Sequence, residues 1–198
     1  MAEQNAAARK IAVLMEGDYY EPEIWYYRLR FAEEGFDVRF LTRLWGQPPE
    51  AMARGFLGHE YRVPFDGRLE SFEEMDDATL RGFSAVIVPA GMVADRLRYT
   101  EDVNKVPPAT QFLARAFAEK TVLKGIICHG LWLVAPLPHL VKGRPLVCHN
   151  NLIGDARAYG AVYTDRDLVE DGDLITARTG GHCHLLARAL IDRLGAIA

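Results

Sequence analysis

Short apolar runs alternate with helical patterns along this chain, and no other feature of the sequence constrains the fold as strongly. Residues 10–15 (KIAVLM) have the length and composition of a strand that is buried on both faces. Residues 23–34 follow with helical spacing, and the pattern stops at Gly35, a favourable residue just beyond a helix. Residues 36–42 then alternate as a second strand. Because the crossover of such a unit is right-handed, the sequence predicts a parallel sheet.

The alternation continues to the end of the chain. After a long connection rich in proline and glycine (residues 45–68, with a hairpin near 59–63), further strands and helices are expected. The strands are expected at 85–88, at 122–127, near Leu146, at 161–163 and at 174–177, and the helices at 108–119, 129–135 and 181–194. This order predicts an α/β fold with a doubly wound, mostly parallel sheet and helices on both faces, a three-layer sandwich.

Composition indicates the cellular setting of the chain and argues against some classes of partner. The 198 residues suit one domain over 10–198, after a loose, polar and Ala-rich tail at 1–9. A net charge of −4 argues against nucleic acid, and no apolar run has the ~20 residues that cross a membrane. Three scattered cysteines form no disulfide framework, so a reducing, cytoplasmic setting is expected.

One turn stands out as a candidate reactive site. In the segment KGIICHG, a buried strand ends and Cys128, His129 and Gly130 precede a helical stretch. This context matches a nucleophile elbow in which cysteine replaces serine, and Gly130 would leave room for a strained backbone and a substrate carbonyl. A helix N-terminus also stabilises a thiolate, so a depressed Cys128 pKa is expected. Cys148 and Cys183 lack this context and are expected to be structural.

With these motifs in view, the sequence resembles the ThiJ/PfpI (DJ-1-like) superfamily. The resemblance is carried in order by KIAVLMEGDYYEPE, VIVPAGMVADRLR, GIICHG and EDGDLITARTGGH, and it covers nearly the whole chain from Lys10. The cysteine elbow is closest to the PfpI branch of that family. The resemblance implies a flavodoxin-like sandwich that assembles as a homodimer or larger homo-oligomer.

The family also implies an acid beside the cysteine, from the turn after the first strand. Glu21 and Glu23 are both candidates; counting back from Gly35 favours Glu23, and counting forward from Gly17 leaves an ambiguity of one residue. A protonated carboxyl could donate a hydrogen bond to a thiolate, whereas a charged one would repel it. The expectation is an elevated glutamate pKa coupled to a depressed cysteine pKa. The alternative is that both acids only favour a helix N-terminus.

In the PfpI branch, the histidine after the cysteine is a general base, which implies that role for His129. Its orienting acid comes from a neighbouring subunit after a Pro-Gly-Gly turn, and the matching position is Asp95, one methylene shorter than the family's glutamate. The alternative is a His129 that is hydrogen-bonded at a subunit contact.

The same resemblance assigns the lining of the pocket. Gly91 matches the second glycine of Pro-Gly-Gly, whose N–H can face an oxyanion, while Ala90 replaces the first and requires a negative φ. Tyr20 is expected to line the pocket. His182 matches a Gly-His motif near the pocket of some members, with helix capping or packing as the alternative. Adjacent helical residues point about 100° apart, so His182, Cys183 and His184 are not expected to bind a metal.

These features favour a cysteine-dependent enzyme that acts on the carbonyl, acyl or amide group of a small molecule or peptide. Hydrolase and glyoxalase or deglycase chemistry share the first step, attack by Cys128 on a carbonyl carbon. No cofactor is expected. The alternative is a non-catalytic redox sensor or a stress or chaperone protein that uses the same oxidisable cysteine.

Overall fold

A computed structural model describes residues 9–195 and shows a mostly parallel sheet of seven strands. Its strands lie in the order β3 (Leu69–Ser71), β2 (Asp37–Thr42), β1 (Lys10–Leu14), β4 (Phe83–Val88), β5 (Leu123–Ile127), β9 (Leu174–Ala177) and β8 (Leu168–Asp171). Only β8 runs antiparallel, against β9. A separate parallel pair joins β6 (Pro145–Leu146) to β7 (Val162–Tyr163). The predicted flavodoxin-like α/β fold is therefore confirmed.

Helices cover the sheet and supply the connections between the strands. They are α1 (Glu21–Glu33), α2 (Pro49–Gly55), α3 (Asp77–Arg81), α4 (Val93–Leu97), α5 (Pro108–Ala118), α6 (Ile153–Ala158) and α7 (Cys183–Gly195). Short 3₁₀ segments occupy Cys128–Val134, Pro138–Leu140, Asn150–Leu152 and Gly180–His182. No helix within residues 9–195 is both long and apolar enough to cross a bilayer.

Burial explains why the central strands form where the sequence predicts them. Residues 11–14 of β1 and all of β5 are buried, as expected for parallel strands covered on both faces. Beside them, β4 leaves only Ser84 partly exposed. The loop after β1, the turn after β4 and the turn after β5 therefore meet at one edge of the sheet.

That edge contains the point where the strand order reverses. The chain moves outward from β1 to β2 and β3, then returns to place β4 on the other side of β1. Doubly wound sheets leave a crevice at such a switch point, outside the carboxyl ends of the strands. The fold thus brings three loops that are distant in sequence to one crevice.

Several local predictions need correction. The stretch predicted as a helix at 129–135 is a 3₁₀ segment, Cys128–Val134. The predicted long connection contains α2, and Pro49 lies in the first turn of that helix, where its missing N–H costs nothing. α1 begins at Glu21 rather than Glu23, because Pro22 is likewise accommodated in its first turn. The predicted N-terminal tail lies outside the described residues, apart from Arg9.

Candidate active site

Cys128 lies immediately after β5 with a backbone φ of +58°, in the left-handed region that non-glycine residues seldom adopt. Its side chain is 8% exposed. It lies at a cavity of about 440 Å³. The cavity is lined by Tyr20, His59, Glu60, Ala90, Gly91, Cys128, His129, His149, Thr179, Gly180 and Gly181. A strained residue at a pocket is the geometry of a nucleophile elbow.

The electrostatics of Cys128 differ from the expectation. Burial raises the pKa of its thiol to about 11, and the nearby Glu23 carboxylate acts in the same direction. Backbone N–H groups of Gly180, His129 and Gly91 lower the pKa only in part. The prediction of a depressed cysteine pKa is therefore wrong. The physical reason is that desolvation outweighs the N–H groups, and a short 3₁₀ segment, not an α-helix, follows the sulfur.

His129 is the side chain that reaches the sulfur. Its Nδ1 atom lies 3.2 Å from the Cys128 Sγ atom. The imidazole packs edge-on against Trp132 and stacks on His149, with ring centroids 4.9 and 4.5 Å apart. Burial, followed by the neighbouring His149 and His59, lowers the pKa of His129 below its ordinary value of 6.5. At neutral pH the ring is therefore neutral and able to accept the thiol proton.

Glu23 is the acid that the fold buries beside the cysteine. Its side chain is fully buried, and its Oε2 atom accepts a hydrogen bond of 2.8 Å from the Ala90 N–H. Its Oε1 atom has no partner among the described residues, and neither does the nearby hydroxyl of Tyr27. Burial raises the pKa of Glu23 to about 8, against partial opposition from the Ala90 N–H. The carboxyl is thus mostly protonated at neutral pH, in the expected direction.

This raised pKa leads to a prediction about stability. In the unfolded chain Glu23 releases its proton near 4.5, whereas in the folded chain it does so near 8. The folded state binds the extra proton between these values, so stability falls as pH rises through that window and levels off above it. Glu23→Gln removes this dependence. We compare the free energy of unfolding of the variant with that of wild type at each pH. We expect this difference to favour the variant by a few kcal/mol more at pH 9 than at pH 5, because each pKa unit corresponds to about 1.4 kcal/mol.

Urea unfolding at the two pH values measures this gain. Glu33→Gln, which removes an exposed carboxylate from the same helix, is the matched control and should show no such difference. An equal stability difference between Glu23→Gln and wild type at both pH values would contradict the assignment.

The turn after β4 places Gly91 at the cavity. Gly91 has a φ of +78°, and a Cβ atom there would lie 2.3 Å from the Asp18 carbonyl oxygen, so glycine is required. Ala90 is not among the residues with positive φ, which meets the condition set by its methyl group. Its N–H is bound by Glu23, so the Gly91 N–H is the one in this turn that acts on the sulfur. Gly130 does not line the cavity; a Cβ atom there would lie 2.6 Å from the Val88 carbonyl oxygen, so it permits close packing on β4.

Most of the other predicted site residues lie outside the cavity. The Glu21 carboxylate binds the backbone N–H groups of Glu60 and Tyr61 and does not line the cavity. Asp95 forms a surface ion pair of 2.8 Å with Arg98. His182 interacts with Thr179 through its Nδ1 atom, 2.9 Å from Oγ1, and is absent from the cavity lining. Tyr20 does line the cavity, where its ring closely approaches Gly180.

The remaining cysteines lie away from the cavity. Cys148 and Cys183 are buried free thiols, and neither lines the cavity. Burial raises the pKa of both to about 12. Across residues 9–195, no group of three or more His, Cys, Asp or Glu side chains has an arrangement that could hold a metal ion.

Sequence reasoning missed His149 and His59. The Nδ1 atom of His149 accepts a hydrogen bond of 3.2 Å from the Asn151 N–H. His149 lies three residues beyond β6, a strand that the sequence predicts near Leu146. The rule that ligands bind beyond strand ends could therefore have flagged it. His59 and Glu60 belong to a loop whose place at the cavity had no signal in the sequence.

Comparisons with known proteins agree with this fold. The model of the DJ-1/PfpI family matches residues 9–193. The chain is 28% identical over 198 residues to protein/nucleic acid deglycase 2 of Escherichia coli, covering 96% of this chain and 99% of that protein. It is 24% identical over 185 residues to deglycase PfpI of Pyrococcus furiosus, with coverage of 93% and 99%.

A solved structure extends the comparison. A two-domain protein of Anabaena variabilis, with DJ-1/ThiJ/PfpI-like and ferritin-like domains, superposes with a TM-score of 0.78 at 26% identity. The match covers 94% of this chain and 48% of that one, so the chain spans about half of that protein's length. The matched family model, the fold and the elbow at Cys128 agree: the chain belongs to the DJ-1/PfpI family.

Proposed function

We propose that the chain is a cysteine-dependent enzyme in which Cys128 adds to a carbonyl carbon of a small molecule or peptide. The observation that carries this proposal is the strained Cys128 at an open cavity, with a neutral imidazole nitrogen 3.2 Å from its sulfur. Relatives named protein/nucleic acid deglycase 2 and deglycase PfpI support an enzyme of this family. Hydrolase and glyoxalase or deglycase reactions diverge only after the first addition.

The raised thiol pKa decides how the addition proceeds. With a pKa of about 11, the resting thiolate fraction at pH 7 is on the order of 10⁻⁴, so the thiol is the starting species. As the sulfur–carbon bond forms, the thiol proton moves to Nδ1 of His129 and the carbonyl electron pair moves to oxygen. His129 then returns the proton to that oxygen, which completes a hemithioacetal if the substrate is an aldehyde. His129 thus acts as a general base within the attack.

Backbone groups stabilise the charge that develops on oxygen. The N–H groups of Gly91, His129 and Gly180 already face the sulfur, so they lie close to any carbonyl that it attacks. Preorganised donors of this kind are worth about 3–4 kcal/mol each in an acyl-transfer transition state. The chain's own residues supply every group in this step, and we propose that it needs no cofactor.

The group that orients the His129 ring is relevant to the oligomeric state of the chain. Within residues 9–195, no carboxylate hydrogen-bonds to His129, and Asp95 is held by Arg98 on the surface. We propose that the active form is a homodimer or larger homo-oligomer in which Asp95 of a second copy orients the ring, as the family resemblance implies.

The structure also bears on the alternative, a redox sensor. Peroxide reacts with thiolates, and a thiol whose pKa is near 11 supplies few of them. The protonated thiol therefore disfavours sensing, whereas the cavity beside His129 favours an enzyme that binds a substrate before the attack. The enzyme is the better-supported function.

Alkylation of Cys128 tests the proposal. Wild type is assayed with methylglyoxal and with p-nitrophenyl acetate while iodoacetamide modifies the protein, and mass spectrometry follows the extent of modification at each cysteine. We expect turnover of at least one substrate to disappear in step with Cys128 alkylation. Full turnover after complete alkylation would refute the proposal. In the absence of turnover, an alkylation rate that rises with a midpoint below pH 7 would establish the sensor instead.

A further inference from the structure

One wall of the cavity is a loop that binds a buried carboxylate through two of its backbone N–H groups. This segment, Leu57–Pro64, is called here the mouth loop; it closes on itself through the antiparallel bridge between its end residues. His59 and Glu60 within it are exposed, yet they line the cavity that contains Cys128. The mouth loop belongs to no helix or strand, so something outside it must hold these two side chains in place.

Glu21 provides that support. Its side chain is fully buried, with Oε2 accepting a hydrogen bond of 2.9 Å from the Glu60 N–H and Oε1 accepting one of 2.9 Å from the Tyr61 N–H. Burial acts to raise the pKa of this carboxyl, but the backbone N–H groups outweigh it and hold the pKa below its ordinary value. Glu21 is therefore ionised, and charge-assisted bonds to two consecutive loop residues are the strong kind.

Contacts beside Glu21 tie the mouth loop to the rest of the site. Tyr19 pairs with Gly58 on one side and with Gly91 on the other, and its carbonyl accepts a hydrogen bond of 2.8 Å from the His59 N–H. The Tyr19 hydroxyl donates to the Val63 carbonyl at 2.8 Å. The short segment before α1 thus joins the mouth loop to the turn that carries Gly91.

Gly58 shows how closely the loop fits the carboxylate. A Cβ atom on Gly58 would lie 1.8 Å from the Glu21 Oε1 atom, which no real contact allows. Its φ lies outside the left-handed region, so alanine is forbidden there by the carboxylate and not by the backbone. A single methyl group at this position would have to displace the loop or Glu21.

We propose that Glu21 is a positioning residue that holds His59 and Glu60 at the mouth of the cavity, where they contact the part of the substrate remote from the carbonyl. This role rests on the proposed function for its link to substrate. It differs from that of Glu23, because Glu21 acts through the mouth loop and leaves Cys128 untouched.

Glu21→Gln tests the inference directly. The amide keeps the size of the side chain, but its NH₂ group must oppose one backbone N–H donor, so one of the two bonds is lost. We expect trypsin to cleave the Arg62–Val63 bond about tenfold faster than in wild type, because cleavage follows the population of the open loop. Mass spectrometry follows this bond alone. Glu33→Gln, an exposed acid on the same helix, should cleave at the wild-type rate.

Steady-state kinetics with methylglyoxal supply a readout that a purely structural role would not move. We expect KM to rise about tenfold while kcat stays within about twofold, as for the loss of uniform binding. Alkylation of Cys128 by iodoacetamide should keep its wild-type pH profile. A fall in kcat with unchanged KM, or an unchanged cleavage rate, would overturn the inference.

Gly58→Ala gives an independent perturbation that leaves the carboxylate in place. This variant should also accelerate cleavage at Arg62–Val63. In the double variant with Glu21→Ala, the alanine methyl group no longer meets the carboxylate. The effect on cleavage should therefore be smaller than the sum of the two single effects. Strict additivity would overturn the inference. If wild type fails to turn over methylglyoxal, the proteolysis and alkylation arms still decide the role of Glu21, so the two proposals fail separately.

Discussion

Cys128→Ser is expected to lower kcat by at least ~10³-fold, because it replaces the proposed nucleophile. Serine is close to cysteine in size and leaves the backbone at this turn unchanged. Its hydroxyl, however, is a far weaker acid than a thiol and a poorer nucleophile. His129 would then have to remove a proton from a group several pKa units less acidic. Cys128→Ala removes the nucleophile altogether and should be no more active.

The measurement is turnover of methylglyoxal and of p-nitrophenyl acetate by purified variants, beside thermal unfolding. Cys148→Ala is the matched control, because Cys148 is also a buried free thiol but does not line the cavity. It should retain kcat within about threefold at temperatures where it remains folded. Activity in Cys128→Ala close to that of wild type would eliminate the covalent mechanism.

His129→Gln is expected to lower kcat/KM at pH 7 by about 10²- to 10⁴-fold, the usual contribution of a general base. The pH profile is the stronger prediction. In wild type, kcat/KM should rise as His129 loses its proton, at a pH below 6.5, and then remain level, since the lowered pKa keeps the ring neutral. Without this base the reaction depends on preformed thiolate, so the rate should keep rising from pH 7 to pH 10 toward the cysteine pKa of about 11.

His149→Gln separates the two stacked imidazoles. The ring of His149 lies on that of His129, but only His129 is within hydrogen-bonding distance of the sulfur. The His149 variant should therefore retain the wild-type shape of the pH profile, even if its rate falls. A flat profile in His129→Gln, together with a rising one in His149→Gln, would assign the base to His149.

The central elements of the fold were predictable because strands that are buried on both faces appear in the sequence as continuous apolar runs. Residues 10–15 and 85–88 are apolar runs that form β1 and β4, and Gly35 ends α1 as expected, with a φ of +76°. Weak elements were missed: β3 is three residues long and α3 five, too short for a periodic pattern to be read.

The site was predictable to the extent that it follows strand ends. Cys128 and Gly91 each follow a buried strand by one or a few residues. Since doubly wound folds bind ligands beyond the carboxyl ends of their strands, both residues are expected at the crevice. His59 and Glu60 follow no such strand. They reach the cavity because Glu21 binds their loop, a contact across about forty residues that no local pattern encodes.

The sequence by itself determined the order of the central strands and longer helices, the turn that carries Cys128 and the presence of two acids at the start of α1, because these depend on neighbours a few residues apart. The tertiary structure decided which acid is buried beside the thiol and which one is bound to a loop. It also decided the protonation states of Cys128 and Glu23. Desolvation is the physical reason, since the loss of water around a group depends on segments packed over it from distant parts of the chain.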